Sequence, residues 1–212
     1  YRQEGKKIFF MTNNSTKSRK QIWEKLTGMG LKCSYDEVYT SGYAAALYAK
    51  QMGYHTVYIM GSKALEEEFG ELDITVSDQA EVVIVGYDMT FDYQKLTDAL
   101  QVAFHADKII ACNKERHYPG ENAKRMPGCG AMVGALEGSL GREVDYSVGK
   151  PNPLLMEIIC KDNDLRPEEV VVVGDTYESD IVMAQNYGSS AVYIGEEDHK
   201  DIKCIHAIGE LL

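Results

Sequence analysis

The run Val170-Val171-Val172-Val173 constrains this chain more than any other feature. Side chains of a strand alternate between its two faces, so four consecutive valines demand apolar cover on both sides. Parallel sheets flanked by helices supply that cover. Similar runs recur at Ile8-Phe9-Phe10-Met11, Thr56-Val57-Tyr58-Ile59-Met60, Val82-Val83-Ile84-Val85, Lys108-Ile109-Ile110-Ala111 and Ala191-Val192-Tyr193-Ile194. Between them, Ser18 to Leu26, Ser41 to Met52, Tyr93 to Phe104 and Leu154 to Cys160 carry apolar residues at helical spacing. Strands alternating with helices predict an α/β fold with right-handed crossovers.

With 44% hydrophobic and 26% charged residues, the chain has the balance of an ordinary globular protein with a sizeable core. Lys and Arg number 22 against 33 Asp and Glu, a net charge of -11 that repels a nucleic-acid backbone. The basic residues Lys17, Arg19, Lys20 and Lys25, punctuated by Glu24, read as one solvated helix face. Cys33, Cys112, Cys129, Cys160 and Cys204 are widely spaced with no Cys-x-x-Cys pair, as expected of reduced cytoplasmic thiols. No apolar stretch is long enough to span a bilayer. Neither Gly-x-Gly-x-x-Gly nor Gly-x-x-x-x-Gly-Lys-Ser/Thr follows a strand, which argues against a nucleotide-binding protein. The longest irregular segment, Arg116 to Gly130, reads as a functional loop.

Three motifs carry chemistry. Thr12-Asn13-Asn14-Ser15 follows a buried strand and opens toward a helix, where backbone N–H groups suit an anion. Ser15 or Thr16 is the expected helix cap. Val148-Gly149-Lys150-Pro151 places a lysine at a strand end, with Pro151 or Pro153 fitting the first helical turn. Gly174-Asp175 ends the valine strand, Gly174 letting the backbone turn, and Asp180 follows five positions later. A hard cation such as magnesium wants one or two carboxylates plus waters and phosphate oxygens. Anion cradle, cation and carboxylates together are what phosphoryl transfer needs.

In these motifs the chain resembles the haloacid dehalogenase (HAD) superfamily phosphatases of subfamily IIA, with a C2-type cap, the NagD-like and 4-nitrophenylphosphatase-like enzymes. Thr12-Asn13-Asn14-Ser15 resembles the second family motif, Gly149-Lys150-Pro151 the third, and Gly174-Asp175 with Asp180-Ile181 the fourth. Gly86-Tyr87-Asp88 and Pro127-Gly128-Cys129-Gly130 resemble stretches of the cap and its return. The resemblance implies a Rossmann-like core at 1–53 and 145–212 and an inserted, smaller α/β cap at 54–144. It implies a phosphatase hydrolysing small phosphomonoesters with Mg²⁺ through an aspartyl-phosphate. Thr12 and Lys150 would be catalytic; Thr12, Asn13, Asn14 and Lys150 would bind phosphate. Asp175 would bind the metal, Asp180 would support its hydration shell, and Tyr118 would contact substrate from the cap. The implied partner is a small phosphorylated metabolite, with neither nucleic acid nor membrane, and cap contacts in the family suggest a homodimer.

Two departures stand out. The family's Asp-x-Asp-Gly nucleophile motif is absent from these residues. Tyr1 to Lys7 reads as the end of a helix stopped at Gly5, so roughly 25 residues of strand, loop and helix are expected upstream. Asp78, Asp88 and Asp92 fall in or beside the cap and are not substitutes. The alternative is a non-catalytic, truncated or degenerate binding module. A chain without that strand is expected to be less soluble than one carrying it. In the cap, Cys112-Asn113-Lys114-Glu115 stands where the family commonly has Thr-Asn-x-Asp.

Overall fold

The computed structural model describes residues 1–197 and 199–211, with Ala123 as backbone only. These residues divide into two compact units, Tyr1–Gly149 and Lys150–Leu212. The dividing point falls inside Gly149-Lys150-Pro151.

Unit 1 begins with a short helical turn, Arg2–Glu4, stopped by Gly5 in the left-handed conformation. β1 (Phe10–Thr12) leads into α1 (Arg19–Gly28), then β2 (Val38–Thr40) and α2 (Ser41–Gln51). β1 and β2 pair in parallel, Thr12 lying opposite Thr40. A second series follows: β3 (Thr56–Met60), α3 (Lys63–Gly70), β4 (Thr75–Val76), β5 (Val82–Val85), α4 (Tyr93–Ala103) and β6 (Lys108–Ala111). The hairpin β7 (His117–Pro119) and β8 (Arg125–Pro127) precedes α5 (Cys129–Leu140) and β9 (Tyr146–Ser147). The segment expected to be irregular thus carries an antiparallel strand pair.

β3, β4, β5, β6 and β9 form a parallel sheet in the order β4-β3-β5-β6-β9. Relabelled in chain order this is 2-1-3-4-5, whose switch point, where ligands usually bind, lies between β3 and β5. Val82 to Val85 are all buried, as an uninterrupted apolar run in a central strand requires. α4 and α5 pack on this sheet around Val83, Val85, Ile109, Val133 and Leu136.

In unit 2, α6 (Leu154–Asn163) precedes β10 (Val171–Gly174), α7 (Val182–Tyr187), β11 (Ser190–Ile194) and β12 (Lys203–Ile205). The three strands are parallel, in chain order. Pro153 occupies the cap position of α6 rather than its first turn, and the Asn152 side chain accepts from the Leu154 N–H at 2.9 Å.

The valine run is not covered on both faces, since Val171 is 55% exposed and only Val172 of β10 is buried, and the expectation for Arg19 is overturned as well. Arg19 is not on a solvated face: it is buried, 7% exposed. Its Nε donates to the Val38 carbonyl at 2.6 Å, and its guanidinium lies over the rings of Tyr35, Tyr39 and Tyr43 at 4.6, 5.2 and 4.2 Å. A guanidinium tolerates burial when its donors are used and aromatic faces surround it. Lys17, Lys20 and Lys25 are exposed as expected.

The Arg19 backbone N–H is also engaged, donating to Glu68 of α3. Glu68 is 2% exposed, and burial pushes its carboxyl up to about 7 against that hydrogen bond. The folded state therefore holds this proton more tightly than the unfolded state. Its stabilising contribution is full below pH 4.5 and is lost as pH rises through about 7. Glu68→Gln keeps an acceptor for the Arg19 N–H and removes the titration. Urea unfolding between pH 5 and pH 8 should show the parent losing up to about 3 kcal/mol more stability than the variant across that range. Parallel pH profiles would refute this account of Glu68.

Candidate active site

The loop after β1 is built from polar side chains that satisfy one another. The Thr12 hydroxyl oxygen accepts from the Asn14 N–H at 3.1 Å. Asn14 Oδ1 accepts from the Thr16 N–H and hydroxyl, both at 2.9 Å, and from the Lys17 N–H at 3.2 Å. This is an Asx turn, the local alternative to a helix that asparagine favours. The helix consequently starts later than expected. Ser18, not Ser15 or Thr16, caps α1, in a reciprocal capping box with Gln21.

Ser15 is released for another task. It is 1% exposed, its hydroxyl oxygen accepts from the Tyr87 N–H at 2.8 Å, and its carbonyl accepts from the Ser62 hydroxyl at 3.1 Å. Ser62 follows β3 and Tyr87 follows β5, so Ser15 is anchored at the switch point of the five-stranded sheet. Gly86 permits this approach: a Cβ there would lie 2.4 Å from Leu65 Cδ2 and 3.4 Å from Ser15 Oγ.

Asn13 is 5% exposed. Its carbonyl accepts from the Ser41 hydroxyl at 2.8 Å and from the Asn113 amide at 2.7 Å. Its own amide donates to Glu115 Oε1 at 3.2 Å. Gly149 closes over the same group, since a Cβ there would stand 2.4 Å from the Cys112 carbonyl oxygen and 2.6 Å from Asn13 Oδ1. Thr12, Asn13 and Asn14 are thus held in one loop at strand ends. Of the two asparagines, Asn14 is the exposed one.

Unit 2 brings Lys150 and Asp180 together. Lys150 Nζ donates to Asp180 Oδ1 at 2.5 Å, with both side chains nearly buried, 11% and 8% exposed. Asp180 Oδ2 accepts from the Thr176 N–H at 3.2 Å. Tyr177–Ile181 forms a wide π-helical turn that carries Asp180 back toward the tip of β10. Gly174 matters here through its missing side chain: a Cβ would lie 2.4 Å from Asp180 Cβ, Cγ and Oδ2. Asp175, next after the strand, is exposed.

The remaining candidates lie in unit 1. The Tyr118 and Tyr87 hydroxyls are 2.8 Å apart and their rings meet edge to face; His117 is exposed. Burial first, then the Tyr118 hydrogen bond, pushes the Tyr87 phenol up to about 12. Asp88 is committed to Lys95 and Thr90. Burial opposes its ionisation, but the Lys95 ammonium and the Thr90 donors outweigh that and hold the carboxyl below its ordinary value. Asp92 caps α4 through the Lys95 N–H at 2.8 Å. Neither reads as a nucleophile. Among the described residues no group of three or more His, Cys, Asp and Glu side chains forms a metal cluster.

Sequence reasoning missed Ser41, Ser62, Asn113 and Glu115 as partners of the loop. Asn113 and Glu115 carried a usable signal, because a polar cluster directly after a buried apolar strand is the pattern already seen at Thr12 to Ser15.

Comparison with known proteins agrees with this architecture. A haloacid dehalogenase-like hydrolase model matches residues 1–75 and a HAD-hydrolase-like model matches residues 147–207. The chain is 32% identical over 197 residues to the sugar-phosphatase AraL of Bacillus subtilis, spanning 91% of this chain and 72% of that protein. The solved p-nitrophenyl phosphatase from Archaeoglobus fulgidus is 33% identical with a TM-score of 0.86, covering 91% of this chain and 75% of its own. The 4-nitrophenylphosphatase from Thermotoga maritima is 26% identical with a TM-score of 0.92, covering 99% and 85%. On these matches the chain belongs to the haloacid dehalogenase-like hydrolase family, among its phosphatases of the nitrophenylphosphatase type.

Proposed function

We propose that this protein hydrolyses small phosphomonoesters with Mg²⁺ through an aspartyl-phosphate. The observation that carries the reading is the buried Lys150–Asp180 pair beside the exposed Asp175, arranged by Gly174 and the π-helical turn. Burying an ion pair is costly, and such pairs often gain nothing in stability over apolar replacements. A lysine and a carboxylate held at a strand tip next to a second carboxylate fit phosphoryl chemistry better than a stabilising role.

In this reading Lys150 and the Thr12 hydroxyl act on the phosphoryl group, and Asn13 and Asn14 shape the loop that receives it. Asp175 is the metal ligand. Both Asp180 oxygens are engaged, by Lys150 and by the Thr176 N–H, which suits a role behind the ion's hydration shell rather than direct coordination. One or two carboxylates with waters and phosphate oxygens is the set magnesium prefers, so these residues fit the ion. Bound there, it would neutralise charge on the transferring phosphate.

The core is assigned to 1–53 and 145–212 and the cap to 54–144, with Tyr118 reaching substrate from the cap. Relatives named as sugar phosphatases and nitrophenyl phosphatases support a small phosphorylated metabolite as substrate. The net charge of -11 supports the exclusion of nucleic acid. No helix among the described residues is long and apolar enough to cross a membrane, and the five cysteines are free, which supports a cytoplasmic protein. A homodimer formed through the cap completes the proposal.

The test is 4-nitrophenyl phosphate hydrolysis by the full-length protein with Mg²⁺. Asp175→Asn should lower kcat/KM by about 100-fold or more, and unchanged turnover would rule the assignment out. Gly174→Ala pushes a methyl group onto the Asp180 carboxylate and should cost about 1–3 kcal/mol in urea unfolding, with a parallel loss of activity. Gly134→Ala, in open space on α5, is the control and should be neutral or slightly stabilising. Equal behaviour of the two glycine variants would contradict the close approach at Gly174.

A further inference from the structure

We infer that Glu115 is a positioning residue for the phosphate loop, acting through Asn13; the inference rests on the phosphatase reading of that loop. Two observations meet at this side chain. Its carboxylate accepts from the Asn13 amide at 3.2 Å, across 102 positions of sequence. Its backbone is locked from behind: the Glu115 N–H donates to Asn113 Oδ1 at 3.0 Å, and its carbonyl accepts from the Gly130 N–H at 2.8 Å.

Glycines enforce that second contact. A Cβ on Gly128 would lie 2.3 Å from the Glu115 carbonyl oxygen, and one on Gly130 would lie 2.8 Å from it. The first turn of α5 therefore seats Glu115 directly. Asn113 completes the frame, since its Oδ1 holds the Glu115 N–H while its amide holds the Asn13 carbonyl. One continuous path of hydrogen bonds runs from the start of α5 through Glu115 to Asn13.

A carboxylate gives the loop something an amide does not. Ionised, it only accepts, so it can be satisfied only by the NH₂ side of Asn13. The Asn13 amide is thereby fixed in one of its two flips, with Oδ1 turned to the narrow space beside Gly149. Thr12 and Asn14 flank this residue, so the bond from its amide to Glu115 tethers the loop on which both stand.

The experiment has two arms. Hydrogen–deuterium exchange on the protein reads the latch without any activity: Glu115→Ala should raise exchange in peptides covering residues 12–18 and leave residues 150–211 unchanged. Steady-state kinetics on the full-length protein with 4-nitrophenyl phosphate reads the function: Glu115→Ala should raise KM by about threefold to tenfold, with kcat changed less. Glu115→Gln can present either its oxygen or its NH₂ to Asn13 and should restore both readouts only in part. Unchanged exchange in 12–18, raised exchange with unchanged KM, or a glutamine variant no better than alanine would each overturn the inference. A parent protein with no phosphatase activity would strike the phosphatase reading, while the exchange arm still decides whether Glu115 holds the loop.

Discussion

Unit 1 depends on the burial of a polar loop. Asn13 and Ser15 are almost fully enclosed, and an enclosed polar group left without a hydrogen bond costs about 1–3 kcal/mol. Their partners come from the start of α2, from the turn after β3, from the turn after β5 and from the segment after β6. Each of those points is a strand end, where backbone and side-chain donors stand free of the sheet ladder. The loop therefore registers the two parallel sheets of the unit against one another. It also fills the β3–β5 switch point, the crevice where a sheet of this order would ordinarily receive a ligand. Here the chain's own Ser15 is the occupant.

Unit 2 meets a related demand with charge instead of amides. Lys150 and Asp180 are shielded from water, so each needs the other, and removing one leaves an uncompensated buried charge costing about 3–5 kcal/mol. What makes room for the pair is an absence. Gly174 contributes no side chain, and the π-helical turn widens the helix entry so that Asp180 can fold back. Gly149 plays the same part for Asn13, and Gly128 and Gly130 play it for Glu115. None of these four has a left-handed backbone. Their common property is close approach, not conformational freedom.

This explains what could be read from the sequence and what could not. The strands at Thr56, Val82, Lys108 and Val171 are legible because each carries an uninterrupted apolar run, though of the four Val82–Val85 alone is buried throughout and Val171 is 55% exposed. The two-residue strands β4 and β9 are not, because two residues establish no period. β2 is disguised: Val38, Tyr39 and Thr40 are all buried, yet Tyr and Thr read as ordinary surface residues. Arg19 misleads for the converse reason, since a charge is presumed solvated unless its aromatic enclosure is known, and Tyr35, Tyr39 and Tyr43 converge only in three dimensions. At the site, Thr12, Lys150 and Asp175 could be placed at strand ends from local pattern. The helix cap lies two or three residues later than expected because Asn14 wins the competition for the Thr16 and Lys17 N–H groups.

Glu68 and Glu115 show how differently two carboxylates can be used in one unit. Glu68 sits in an apolar wall with one backbone donor, and burial dominates, so its proton is held to near neutrality. Glu115 is only partly enclosed and meets an amide supplied by a distant loop. The first closes the start of a helix and responds to pH; the second orients a side chain. Chain separation accounts for the difference in legibility as well. Both contacts span tens of residues, 49 for Glu68 with Arg19 and 102 for Glu115 with Asn13, so neither leaves a local signature. Only the fold brings each carboxylate to its donor, and for Glu68 the apolar burial it meets there raises its pKa.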